Sequence, residues 1–229
     1  MTERSASLTA AIAALYETFA PYRLEDPARA GFFDFGPNER ELRAISGPLR
    51  DIPAEVVRTM EFYAPDWRSW GSEAEVKYVL PRVLECLALH PELLGYPSTM
   101  SLFKHKLRRG LTPAGAGLRP HEREPVACFL EQLLEHEATL SGASERRELG
   151  YLVEALVELR FDDARALAAL DRHPAQHGPV ADALLEHFRV RDADETPRGV
   201  FCEHEAGLRV YTDWALERWR AAGGWDASW

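Results

Sequence analysis

A chain of 229 residues, 46% apolar and 28% charged, can bury a core as one large domain or two small ones and lies outside the disordered class. Its formal charge of −10 argues against sequence-independent nucleic-acid binding, which needs a cationic face, and disfavours docking on anionic lipid. Of 27 cationic residues only Lys77, Lys104 and Lys106 are lysine, a bias that fits a GC-rich genome more than a property of the fold.

The first predicted element is a helix from about Ser7 to Ala20, stopped by Pro21, with Leu8, Ile12, Leu15 and Phe19 recurring on one face. Leu8 to Tyr16 is apolar enough to suggest a signal peptide. However, no cationic stretch precedes it, Glu17 interrupts it, and Phe19-Ala20-Pro21 is a poor cleavage site. No run of about 18 apolar residues occurs, so no spanning helix is expected. Tyr22 to Pro37 reads as an ordered loop that packs the rings of Phe32, Phe33 and Phe35; the alternation in FFDF suggests a strand but has no partner. Asn38 caps a short helix with Leu42 and Ile45 inward, closed by Gly47-Pro48. Asp51, followed by Pro53, opens the next, which carries Val56, Val57 and Met60.

A second loop, Ala64 to Gly71, holds Pro65, Trp67 and Trp70, and Ser72 begins a capping box with Glu75. The helix behind it, VKYVLPRVLECLALH, contains Pro81, where a lost hydrogen bond and ring clash cost about 3 kcal/mol. A kink, or two helices meeting at Leu80-Pro81, is expected. Ser98 to Arg109 forms a helix ending at Gly110, with Leu102, Phe103 and Leu107 inward. After the Gly-rich LTPAGAGLRP, a helix from Pro120 or Pro125 carries the clearest stripe in the chain: Val126, Phe129, Leu130, Leu133 and Leu134.

Ser144 and Glu148 start a helix burying Leu149, Leu152, Val153 and Leu156, and Asp162 caps its short-linked partner with Leu167 and Leu170. Pro179 opens a helix with Val180, Leu184 and Phe188. The last long helix carries Val210, Tyr211, Trp214 and Trp219 before the tail GGWDASW. The expected fold is all-α: an irregular array of nine or ten short helices in one domain over 1–229, with a seam at 140–144 and a solenoid-like rhythm after it. No fixed repeat period supports a true solenoid.

The segment PLRDI (Pro48 to Ile52), the pair Trp70-Gly71, the run Val76 to Arg82 continuing to Leu84-Glu85, and the helix VACFLEQLL together resemble a group of uncharacterised bacterial proteins. With the first helix the resemblance covers a little over half the chain, roughly its N-terminal 60%, and it implies no activity. Similar sequences carry cysteines in the loop after the first helix. Asp26 to Asn38 has none, so no metal ligand carries over.

Candidate sites are few. Phe62, Tyr63, Trp67, Trp70, Lys77 and Tyr78 form an aromatic cluster that either lines a groove for a peptide or small ligand or anchors core and loops, the more ordinary role of such rings. The basic run Lys104, His105, Lys106, Arg108 and Arg109, with Arg119 beyond, reads as a phosphate or acidic-partner contact or, more simply, as cations complementing a helix C-terminus. His173 and His177 have a ligand spacing that Pro174 interrupts, HExxH is absent, and Asp162-Asp163 reads as capping, so no metal site and no cofactor are expected. No nucleophile elbow, P-loop or dinucleotide fingerprint occurs, which leans away from an enzyme. Cys86, Cys128 and Cys202 are few, odd in number and unclustered, which suits small core residues in the reducing cytoplasm. Trp225 and Trp229 either dock on their own helices or bury against another chain. The expected function is a helical module binding a protein or peptide partner, with homo-oligomerisation as one form of that; the alternative is an enzyme or small-ligand-binding protein with a pocket between helices. Nucleic acid and membrane are not expected partners.

Overall fold

The computed structural model describes residues 6–31, 33, 36–60, 73–90, 118–139, 149–193 and 205–223. Among the described residues the chain forms nine α-helices, short 3-10 turns and no strand, and no helix is long and apolar enough to cross a membrane. The fold is the all-α multi-helix array that the periodicity predicts. It packs as two compact units, residues 9–129 and residues 130–229 with 1–8.

Helix α1 (Ala6–Phe19), in the first unit from Thr9 onward, buries the predicted stripe, with Leu15 fully and Phe19 almost fully shielded. After a 3-10 turn at Pro27–Arg29 comes α2 (Glu39–Ile45), whose start is a complete capping box. Asn38 Oδ1 accepts from the amides of Arg40 and Glu41, each at 3.0 Å, while Glu41 Oε2 accepts from the Asn38 amide at 2.8 Å. Ile45 is buried and Leu42 only half-buried. A second 3-10 turn, Leu49–Asp51, precedes α3 (Ala54–Thr59). Asp51 lies in that turn and does not cap α3. The helix begins at Pro53, whose carbonyl takes the amides of Val56 and Val57 at 2.9 and 3.1 Å.

Helix α4 (Glu73–Leu89) runs through Pro81 without ending. Pro81 has no N–H for the Lys77 carbonyl, yet Val79, Leu80, Val83, Leu84 and Leu87 are buried on both sides of it. Burial of those five side chains, at about 1.5–3 kcal/mol each, outweighs the proline penalty. Helix α5 (Pro120–Thr139) opens with Pro at its first position and crosses the boundary between the units. Its stripe is as expected, with Val126, Phe129, Leu130, Leu133 and Leu134 all wholly buried.

The second unit contains α6 (Leu149–Glu158), α7 (Asp163–Asp171), a 3-10 turn at Pro174–Gln176, α8 (His177–Ala193) and α9 (Glu205–Ala221). The α6–α7 link is a Schellman closure: Phe161 N–H donates to Leu156 O at 3.0 Å and Arg160 N–H to Val157 O at 2.9 Å. Arg160 takes φ 52°, where glycine is usual, and Asp162 Oδ1 then caps α7 through the Ala164 amide at 2.9 Å. The α8–α9 pair packs most extensively, and α6 lies against both. Tyr211 and Trp214 of α9 are buried as expected, but Val210 is 38% exposed because it lies one position off that face.

Candidate functional site

Two polar networks, one buried and one half-buried, lie in the first unit. In one, Lys77 Nζ of α4 pairs with Glu122 Oε2 of α5 at 2.8 Å, both side chains fully shielded from solvent. Tyr22 completes it. Its hydroxyl donates to Glu122 Oε1 and receives Lys77 Nζ at 3.3 Å, and its ring lies 5.3 Å from the same ammonium. The Arg119 amide donates to Glu122 Oε2 at 2.7 Å, the returning half of a capping box. Burial works to raise the Glu122 pKa, but the hydrogen bonds from Lys77, Tyr22 and the Arg119 amide outweigh it and hold the carboxyl below its usual range. Burial and the hydrogen bond to Glu122 raise the Tyr22 pKa.

In the other network the Tyr16 hydroxyl donates to Glu85 Oε2 at 2.6 Å, and Arg82 Nη1 donates to the same oxygen at 2.6 Å. Arg82 Nε reaches across to the Ile52 carbonyl at 2.8 Å, tying α4 to the segment before α3. Burial, then the Glu85 contact, push the Tyr16 pKa strongly upward.

Between these networks lies a cleft of about 410 Å³ within the first unit, large enough for one or two side chains or a small ligand. Helix α1 and the residues after it supply Tyr16, Phe19, Ala20, Tyr22 and Arg23; the turn before α3 supplies Gly47, Pro48, Leu49 and Arg50; α4 supplies Tyr78 and Pro81. The lining carries phenols, guanidinium groups and apolar surface, with no carboxylate or carboxamide side chain among the described residues. Arg50 stacks over the Tyr16 ring at 4.2 Å and has no acidic partner among the described residues. Arg23 donates Nη1 to the carbonyls of Ala20 and Tyr22. Tyr78 is half-buried, and its pKa is raised by burial against the opposing pull of Arg23.

Of the residues the sequence marks for a groove, Tyr78 lines this cleft. Lys77 does not, because it points the other way into the Glu122 pair. Phe62, Tyr63, Trp67 and Trp70 lie outside the described residues, as do the basic run Lys104, His105, Lys106, Arg108 and Arg109, the expected helix 98–109, the seam at 140–144, Phe32, Phe35, Ser72, Cys202, Trp225 and Trp229. The cleft residues that sequence reading missed are Tyr16, Tyr22, Arg23 and Arg50. Only Tyr16 carried a signal, as a polar-tipped ring flanking the apolar stripe of α1.

A larger recess of about 710 Å³ beside α2 sets Glu39 and Asp51 against Arg40 and Arg43, and so presents no single sign of charge to a ligand. In the second unit His173 and His177 face different carboxylates, Glu135 and Asp171, each at 3.4 Å. Among the described residues no group of three or more His, Cys, Asp or Glu side chains is placed to hold a metal ion. Asp171 is a structural hub, accepting from Trp214 Nε1 at 3.1 Å and from Arg218 Nε at 3.2 Å. His187 Nε2 lies 3.2 Å from Glu154 Oε1, with its ring edge-on to Tyr151, and burial lowers its pKa to about 4. Cys86 is fully buried, and burial pushes its thiol up to about 11, which makes it a poor nucleophile. No family model, curated protein or solved structure matches this chain.

Proposed function

We propose that this chain is a helical interaction module whose first unit receives a segment of a partner polypeptide in the cleft between α1, the 48–50 turn and α4. The supporting observation is the pairing of pre-organised walls with groups unsuited to acid–base chemistry. Tyr16 and Tyr22 are held by the half-buried Glu85 and the buried Glu122 carboxylates, which accept their hydroxyl hydrogen bonds, so their rings are pre-organised contact surfaces of the kind that anchors binding. Their pKa values, and that of Tyr78, move away from neutrality, whereas a general acid or base works best near the operating pH.

Membership of the uncharacterised bacterial family belongs to the same proposal, since two segments carrying the resemblance contribute Pro48, Leu49, Arg50, Tyr78 and Pro81 to the cleft. A cytoplasmic setting fits Cys86, a buried free thiol. The test is selection from a phage-displayed random dodecamer library on the full-length chain. Enriched peptides should bind, and Tyr78→Ala should weaken them about tenfold or more with an unchanged circular-dichroism spectrum. Failure to enrich any peptide, or binding indifferent to Tyr78→Ala, would overturn the proposal.

A further inference from the structure

The side-chain chemistry of the cleft goes beyond a bare groove. Each polar side chain lining it is Tyr16, Tyr22, Arg23, Arg50 or Tyr78, and each of these is a hydrogen-bond donor. Two donors are already committed: the Tyr16 hydroxyl to Glu85 and the Tyr22 hydroxyl to Glu122. Three remain available. The Arg50 guanidinium lies over the Tyr16 ring, 4.2 Å from its centroid, and makes no ion pair among the described residues. Arg23 commits Nη1 to backbone carbonyls, which leaves the rest of its fork. The Tyr78 hydroxyl makes no hydrogen bond to another described residue, and the Arg23 charge reaches it.

A chain with a net charge of −10 has acid to spare, yet none of it lines this cleft among the described residues. Elsewhere in the same unit three cations have an acidic partner: Lys77 has Glu122, Arg82 has Glu85 and Arg29 has Asp26. Such a local excess of donors complements a group that only accepts, and two guanidinium forks suit a carboxylate better than a neutral carbonyl. The remaining walls, Phe19, Pro48, Leu49 and Pro81, are apolar and call for a non-polar contact beside the charge.

From this we infer that the cleft selects an acidic peptide segment, one or two Asp or Glu side chains placed next to an aromatic or aliphatic residue. The inference rests on the interaction-module proposal and specifies its ligand. The carboxylates lie against Arg23 and Arg50, the Tyr78 hydroxyl donates to one of them, and the neighbouring ring or methyl groups pack on Pro48 and Pro81. A long polyanion such as nucleic acid is the poorer occupant, because the net charge of −10 repels it overall. A short segment presents its charge only where the two arginines are.

The same dodecamer selection, read by sequence, tests this. Enriched peptides should carry Asp or Glu adjacent to an apolar residue, and their binding should weaken as salt rises. The double charge reversal Arg23→Glu, Arg50→Glu should weaken a selected acidic peptide about a hundredfold, roughly tenfold for each lost contact. It should also improve binding of the same peptide with its acids changed to Lys. Both arginines are exposed, so the helical spectrum should stay as in the parent chain. Enrichment of peptides that lack acids, or acidic peptides indifferent to the reversal, would overturn the inference and leave the interaction module standing. No enrichment at all would overturn both. Competition by a single-stranded oligonucleotide at matched ionic strength, stronger than by the acidic peptide, would transfer the site to nucleic acid and end the inference.

Discussion

Gly150 occupies a position in α6 where a side chain does not fit. A Cβ there would stand 2.1 Å from Cγ and 2.7 Å from Cβ of His187 on α8, near the base of a side chain that cannot swing aside. The His187 ring is fixed by Glu154 and by edge contacts with Tyr151 and Phe188 at 4.5 and 5.5 Å. Gly150→Ala should therefore act as overpacking and destabilise the chain by about 1–3 kcal/mol, read as a lower urea midpoint at constant slope. An unchanged midpoint would mean that the two helices separate freely. Single residues were legible where their work is local. Asn38 and Asp162 cap the helices they precede, since a cap needs only its own next two or three amides. Gly150 was not legible, because its reason lies 37 positions away on another helix. Arg160 broke the rule in the other direction, holding a left-handed conformation where the sequence offers no glycine.

At the scale of elements, the Lys77–Glu122 pair decides how α4 meets the start of α5 within the first unit. A buried ion pair gains little or nothing over well-packed apolar replacements, but removing one partner strands the other charge without water. Lys77→Met alone should cost about 3–5 kcal/mol, and Lys77→Met with Glu122→Leu should cost distinctly less than the sum of the single changes. Urea denaturation of the four chains of this cycle measures the coupling; simple additivity would contradict it. The single change should also raise the Glu122 pKa, since the lysine hydrogen bond is among those that lower it. The apolar stripes of α1 and α5 were fully readable as sequence because period 3.6 is written into each segment by itself. Lys77 and Tyr78 are adjacent in sequence but about 100° apart around a helix, so one closes the core and the other opens on the cleft. Which does which depends on Glu122, 45 positions on, and on Tyr22, 55 positions back. At Pro81 one continuous helix decides against two helices meeting there, for the same reason: the helix-breaking cost is local, while the burial that offsets it is tertiary.

For the molecule as a whole, the two units carry acid-sensitive groups of different kinds, so they should weaken at different pH. In the second unit, burial depresses the His187 pKa from its ordinary 6.5 to about 4, so the unfolded chain binds the extra proton first. Its contribution is complete above pH 6.5 and is lost as pH falls from 6.5 towards 4. At pH 5 the loss is about 2 kcal/mol, or roughly thirtyfold in the equilibrium for opening. In the first unit Glu122 is also depressed, but from an ordinary value of 4.5, so its contribution holds above pH 4.5 and is lost only as pH falls through its lower folded value. Between pH 6.5 and 4.5 the His187 loss therefore acts alone of these two. Amide hydrogen exchange at pH 7 and pH 5, corrected for intrinsic rates, should show protection falling in α6 and α8 while α4 holds. His187→Gln should remove most of that fall, because a glutamine has no proton to gain. Equal loss of protection in α4 and α8, or a fall that survives His187→Gln, would mean that the buried imidazole does not set the acid limit of its unit.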